Sequence, residues 1–114
     1  MIIGQHTIIY TTDAEADRAF FRDVLGFPAT DAGDGWLIFR MPPAELAFHP
    51  TGGPSTHEVF LMCDDVQTTV KALQEKGVEF SSPVSDQGWG LLTSLKTPGG
   101  SEIGLYEARH PTAI

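Results

Sequence analysis

The sequence contains a single cysteine, Cys63, among its 114 residues. One cysteine excludes both a disulfide within the chain and a cysteine-rich zinc site. Cys63 ends the apolar run at residues 59–63, and this position favours a buried, inert thiol over a nucleophile.

Basic residues and long apolar runs are also scarce. The chain has seven Lys and Arg residues and fifteen Asp and Glu residues, which gives a formal net charge of −8. Nucleic acids and anionic membrane surfaces bind basic faces, so neither is expected as a partner, whereas a neutral or cationic small ligand is compatible with this balance. No apolar run approaches the ~18 residues of a membrane span, and the N-terminus lacks a signal-peptide pattern. We therefore expect a cytoplasmic protein.

Length and composition predict a single domain over residues 1–114, with 41% hydrophobic residues to build its core. Residues 2–10 are β-branched and aromatic, as in a strand. Residues 12–15 have the Thr-x-x-Glu form of a capping box, which predicts the start of a helix, and Gly26 is typical of its end. Three more strands are predicted at about 27–31, 36–41 and 45–49.

The second half has the same order of elements. A strand at 57–63 is followed by Asp64 and Asp65, which predict a helix start, and Gly77 marks the helix end. Three further strands are expected near 78–84, 89–96 and 102–107. The two halves align at an offset of 51 residues, which matches His6 with His57, Asp13 with Asp64 and Gly26 with Gly77. The sequence thus predicts an α+β fold of two βαβββ modules, at about 1–50 and 56–108.

Several segments resemble the vicinal oxygen chelate superfamily, which includes glyoxalase I, extradiol dioxygenases and bleomycin-resistance proteins. They are His6 in the first strand, FFRDVLGF (20–27), THEVFLMCDDV (56–66) and TPGGSEIGLYE (97–107). The resemblance implies that the two modules form a half-barrel cup around one small-molecule site. It also implies a homodimer, often with the cup shared between chains.

Metal-dependent members of the superfamily bind a divalent cation through a histidine on the first strand of a module and a glutamate on the last. His6 and His57 match the histidines, and the implied metal is Zn, Ni, Fe or Mn. The glutamate position falls on Gly104 in the second module and, by the internal repeat, on Ala47 in the first. Both of these carboxylates are absent from the sequence.

Glu45 and Glu102 are candidate replacements, because each lies two residues before the vacant position and so on the same strand face. Each is then about 6–7 Å from that position along the strand. The sequence Glu-Leu-Ala-Phe at 45–48 also resembles the sequence around the metal-binding glutamate of some glyoxalase I proteins. This resemblance implies a metal site of His6, His57 and Glu45. Glu45 and Glu102 are also candidate catalytic carboxylates. The alternative, that both are solvated rim residues or pair with a nearby arginine, stays open.

Five other side chains are candidates for lining the ligand site: Tyr10, Trp36, His49, Trp89 and Tyr106. His110, beside Pro111 in the tail, is expected to be exposed. Two functional hypotheses follow. The first is a divalent-metal-dependent enzyme of glyoxalase or dioxygenase type with an atypical metal site. The second is a metal-free protein of bleomycin-resistance type that binds a drug or metabolite.

Overall fold

The computed structural model describes residues 6–114. Its first half contains a short helix, a π-helical turn and a two-stranded hairpin, and its second half contains a four-stranded sheet with one helix. The elements in chain order are α1 (Ala14–Ala19), the π-helical turn (Phe20–Val24), β1 (Ala29–Asp31), β2 (Leu37–Phe39), β3 (Phe60–Cys63), α2 (Val66–Glu75), β4 (Ser85–Asp86), β5 (Gly90–Lys96) and β6 (Glu102–Ala108). The α+β class predicted from the sequence is confirmed.

The four-stranded sheet has the order β3-β6-β5-β4. β3 runs parallel to β6, and β5 is antiparallel to both β6 and β4. The strands predicted at 57–63, 89–96 and 102–107 are confirmed as β3, β5 and β6. The strand expected at 78–84 is largely absent from the described structure, because that segment makes only an isolated bridge between Phe80 and Leu95 before the short β4.

Helix α2 starts and ends where the sequence predicts. The Asp65 side chain accepts a hydrogen bond from the Thr68 N–H at 2.9 Å, which satisfies one of the free amides of the first turn. At the other end, Gly77 has φ +85, and the Val78 N–H donates to the Leu73 carbonyl at 3.1 Å, as in a Schellman cap. Neither α2 nor any other helix of residues 6–114 is long and apolar enough to cross a membrane.

The hydrophobic core lies between the sheet and the helices. Its buried residues are Phe20, Val78, Leu95 and Ile103, and both the π-helical turn and α2 contribute partly buried neighbours to it. Because side chains alternate along a strand, Ile103 faces the helices and Gly104 and Tyr106 face the opposite side of the sheet. That opposite side carries the candidate site.

The first half differs from the prediction at its helix start. Asp13, one residue after Thr12, is the N-cap, and its carboxylate accepts from the Ala16 N–H at 3.1 Å. The Thr12 hydroxyl instead donates to the Gly99 carbonyl at 3.1 Å. The capping-box assignment is therefore wrong by one residue, because a contact distant in sequence uses the threonine.

The outer strands predicted for the first half are not formed in the described residues. Residues 6–10 and 45–49 make no strand, and the first four residues of the predicted strand at 2–10 lie outside the described range. The side chains of Tyr10 and Phe48 are 90% and 89% exposed. A strand forms only where a neighbouring segment is hydrogen-bonded to it. In the first half of the described residues, the two middle strands, β1 and β2, pair with each other.

Candidate functional site

Three aromatic rings cluster on the side of the sheet away from the helices: those of Phe60, Trp89 and Tyr106. We call this cluster the aromatic face. Trp89 and Tyr106 have ring centroids 5.3 Å apart at 76°, and the Phe60 ring lies 5.9 Å from Tyr106 at 87° and 6.5 Å from Trp89 at 88°. All three pairs are edge-to-face, the arrangement that aromatic quadrupoles favour. Tyr106 is buried, while Phe60 and Trp89 are 40% and 41% exposed.

Two glycines let these rings lie against the sheet. Gly104 is paired in register with Phe60, and a Cβ at position 104 would lie 2.5 Å from Phe60 Cε1 and closer still to Cδ1. A Cβ at Gly90 would lie 3.0 Å from Tyr106 Cδ2. The position where the resemblance implies a metal-binding glutamate is thus filled by an aromatic ring.

His110 stacks on the aromatic face. Its ring lies 5.9 Å from that of Tyr106 at 30°, and its Nε2 is 3.2 Å from the Tyr106 hydroxyl. His110 Nδ1 is 2.8 Å from the Pro111 carbonyl oxygen, which only accepts, so Nδ1 carries a proton. In the neutral imidazole, Nε2 therefore accepts from the Tyr106 hydroxyl. The expectation that His110 is exposed is wrong, because this contact leaves it partly buried.

Glu45 lies at the rim of the aromatic face. Its side chain is partly buried and accepts a hydrogen bond from the Ala113 N–H. Burial and, secondly, the negative charge of Glu45 raise the pKa of the Tyr106 phenol above its ordinary value. The Glu45 carboxylate is thus a polar group beside an apolar surface. It contributes to the raised pKa of the Tyr106 phenol and accepts a hydrogen bond from the chain after β6.

The predicted metal site is not assembled. His6 and His57 are exposed, Glu45 binds the tail, and within residues 6–114 no group of three His, Cys, Asp or Glu side chains is placed to hold a metal ion. Phe60 also occupies the carboxylate position at residue 104. The described structure therefore does not bring His6, His57 and Glu45 together as one metal site, and that ligand set stays a prediction.

The remaining predicted residues are dispersed. Of the five predicted lining residues, the structure brings together Trp89 and Tyr106. Trp36 lies under the Arg18 guanidinium, whose carbon is 4.5 Å from the ring centroid, and Tyr10 and His49 are exposed. Glu102 pairs in register with Lys96, and both line a separate cavity of about 630 Å³ at the end of β5 and the start of β6.

Sequence reasoning missed two members of the site, Phe60 and His110. Phe60 lies within the predicted strand at 57–63, but the parallel pairing of β3 with β6 that sets it beside Gly104 is not specified by the local sequence. His110 follows Tyr106 by four residues beyond a strand end, and no local pattern indicates that its ring folds back.

The sequence model of the Glyoxalase/Bleomycin resistance protein/Dioxygenase superfamily matches residues 4–105. The chain therefore belongs to this superfamily, as its resemblance implied.

Similar proteins in the superfamily differ in activity. An iron-dependent extradiol dioxygenase of Rhodococcus jostii (strain RHA1) is 35% identical over 86% of this chain, which spans 40% of that enzyme. The crystal structure of TnmS3, an antibiotic binding protein from Streptomyces sp. CB03234, is 26% identical with a TM-score of 0.68, covering 95% of this chain and 98% of that one. A lactoylglutathione lyase from Agrobacterium tumefaciens, 16% identical with a TM-score of 0.66 over 92% of each chain, shares the fold.

Proposed function

We propose that this protein binds a planar aromatic small molecule at the aromatic face. The observation that carries the proposal is the edge-to-face cluster of Phe60, Trp89 and Tyr106, of which the first two expose about two fifths of their surface. Aromatic rings fixed by neighbours lose little conformational entropy when a ligand packs on them. Each ~100 Å² of apolar surface covered by a ligand contributes roughly 2.5 kcal/mol before the cost of association.

The surroundings favour a neutral or cationic ligand. Glu45 is the carboxylate that acts on Tyr106, and the chain carries a net charge of −8. An anion would approach against both charges. The similarity to an antibiotic binding protein over nearly the whole chain supports the binding of a small molecule, whatever its charge.

The test uses two flat three-ring probes, neutral acridine and cationic 9-aminoacridine, titrated by calorimetry and by tryptophan fluorescence. We expect both to bind and to quench Trp89. Phe60→Ala should weaken binding about tenfold, since stacking on one ring contributes roughly 1 kcal/mol or more. Trp36→Phe is the matched control, because Trp36 packs on Arg18 away from the site and its loss should leave the dissociation constant unchanged. Binding that ignores Phe60→Ala, or no binding of either probe, would reject the proposal.

A metal-dependent enzyme is the second candidate, favoured by the 35% identity to an iron-dependent dioxygenase. In this case His6, His57 and Glu45 would hold a divalent cation. A bound divalent cation supplies Lewis-acid activation of substrate oxygens. Elemental analysis of the purified protein tests it, with His6→Ala and His57→Ala as controls. Substoichiometric metal that neither substitution changes would eliminate this candidate.

We also propose that the protein is a homodimer, in which the second copy covers the unpaired segments of the first half. Four apolar side chains there are strongly exposed, namely Ile8 (63%), Tyr10 (90%), Leu46 (72%) and Phe48 (89%), and such patches mark interaction surfaces. Sedimentation should give twice the chain mass, and Phe48→Glu should shift it toward one chain mass. A monomeric wild-type protein at micromolar concentration would contradict the proposal.

A further inference from the structure

The chain after β6 folds back across the aromatic face and is held at three points. The Arg109 N–H donates to the Trp89 carbonyl at 2.9 Å. The His110 ring stacks on Tyr106, and the Ala113 N–H donates to the Glu45 carboxylate. We call residues 109–113 the tail segment. The last of these contacts joins the tail segment to a residue 68 positions earlier in the chain.

His110 occupies a stacking position on Tyr106. Phe60 and Trp89 meet the Tyr106 ring edge-on, at 87° and 76°, whereas the His110 ring is inclined by only 30°. Offset parallel contact is, beside the edge-to-face one, an arrangement that aromatic rings prefer, and it is the one that brings the face of a flat ligand against a ring. The imidazole therefore fills the place on Tyr106 that the second or third ring of such a ligand would take.

We propose that His110 is an internal competitor for the ligand site and that Glu45 is the latch that holds it there. This inference rests on the proposed function and adds a size preference to it. With the tail segment closed, a one-ring ligand packs on the half-exposed Phe60 and Trp89. A flat ligand of three fused rings must displace His110 from Tyr106.

The competition has a definite expected size. Displacing His110 breaks one neutral hydrogen bond and one ring stack, which together correspond to about tenfold in affinity. Removing the imidazole should therefore strengthen the binding of a three-ring ligand by about that factor. The binding of a one-ring ligand should change less than about twofold.

The first arm of the test needs no ligand. In a Trp36→Phe background, Trp89 is the remaining tryptophan, and acrylamide quenching reports its accessibility. We expect His110→Ala and Glu45→Ala to raise the quenching constant. Glu45→Gln, which keeps an oxygen acceptor for the Ala113 N–H, should raise it less. Thr112→Ala is the matched tail control, because its hydroxyl donates to the Ile114 carbonyl, and Glu75→Ala on α2 is the matched charge control.

The second arm measures the affinity for acridine, which is neutral and has three fused rings, and for the one-ring probe pyridine. His110→Ala and Glu45→Ala should bind acridine about tenfold more tightly than the parent, with pyridine nearly unchanged. Far-ultraviolet circular dichroism verifies that each variant is folded.

Weaker acridine binding by His110→Ala would overturn the proposal, because His110 would then be part of the ligand's site. Unchanged quenching in both His110→Ala and Glu45→Ala would also overturn it, since the tail segment would not cover the face in solution. If neither the parent nor the variants bind acridine, the proposed function fails and the competition fails with it. Altered quenching in that case still shows that the tail segment contacts Trp89, so the two failures are distinguishable.

Discussion

The ring of Phe60 occupies the space that a side chain at Gly104 would need. The two residues are register partners on the parallel strands β3 and β6, and Gly104 is buried beneath the ring. A Cβ at position 104 would lie 2.5 Å from Phe60 Cε1, a separation that real Cβ atoms do not show. The glycine at the position where the resemblance implies a glutamate is therefore matched to an aromatic neighbour.

This relationship predicts that Gly104→Ala is destabilising. The added methyl group must push the Phe60 ring off the sheet, and overpacking of this kind costs about 1–3 kcal/mol. Urea denaturation measures the loss in the free energy of unfolding. Gly52→Ala is the matched control, because nothing lies within 4 Å of a Cβ there, and it should be nearly neutral.

The same relationship predicts a specific coupling. In the double variant Phe60→Ala with Gly104→Ala, the second substitution should cost little, because the ring that it meets is gone. If the double variant instead loses the sum of the two single losses in the free energy of unfolding, the ring and the glycine are independent. This result would contradict the packing described here.

Gly99 is a second glycine whose lack of a side chain is required. The turn after β5 docks on the first helix there: the Gly99 N–H donates to Asp17 Oδ1 at 2.7 Å, and a Cβ would lie 2.5 Å from Asp17 Oδ2. We expect Gly99→Ala to lower the free energy of unfolding by about 1–3 kcal/mol, since it must displace this bond. Asp17→Asn keeps an oxygen acceptor and should cost less. Equal stability of Gly99→Ala and wild type in urea would contradict this docking.

The second half of the fold was predictable because its signals are local. Asp65 caps its helix through the Thr68 N–H three residues away, and Gly77 ends it with a positive φ. Each of these contacts lies within one turn, so the sequence pattern specifies it directly. The strands expected near 89–96 and 102–107 likewise lie within one residue of the observed bounds of β5 and β6.

The site was less predictable because its contacts are distant in sequence. Trp89 and Tyr106 were expected to line it, but their partner Phe60 comes from another strand whose register the local pattern does not reveal. Glu45 was expected near a metal, and it binds a backbone amide 68 residues later. Thr12 likewise bonds across 87 residues to Gly99 instead of capping its own helix.

Cys63 should react slowly with thiol reagents. Burial, followed by the negative charges of Glu107, Asp64 and Asp65, raises the pKa of its thiol, and the Sγ donates to the Tyr106 carbonyl at 3.5 Å. The thiolate is the reactive form, so a raised pKa lowers its fraction at pH 8. We expect the reaction with Ellman's reagent to be at least tenfold slower in the native protein than in urea. A native rate equal to that of free cysteine would contradict the sequence-based expectation of an inert thiol.

Tyr106 should titrate above the ordinary tyrosine pKa of about 10. Burial is the larger cause and the charge of Glu45 the smaller one, so Glu45→Gln should lower the pKa of Tyr106 without returning it to the ordinary value. Ultraviolet absorbance near 295 nm in a Tyr10→Phe background isolates the Tyr106 signal, because the chain has two tyrosines.

The raised pKa of Tyr106 also makes stability depend on pH. Below pH ~10 the phenol is protonated in the folded and the unfolded state and adds no pH dependence to the free energy of unfolding. As the pH rises above ~10, the unfolded chain loses this proton first, so the free energy of unfolding falls. A Tyr106 midpoint at the ordinary tyrosine pKa of about 10 would show that the phenol is neither buried nor near Glu45, and would contradict the placement of Glu45 beside the aromatic face.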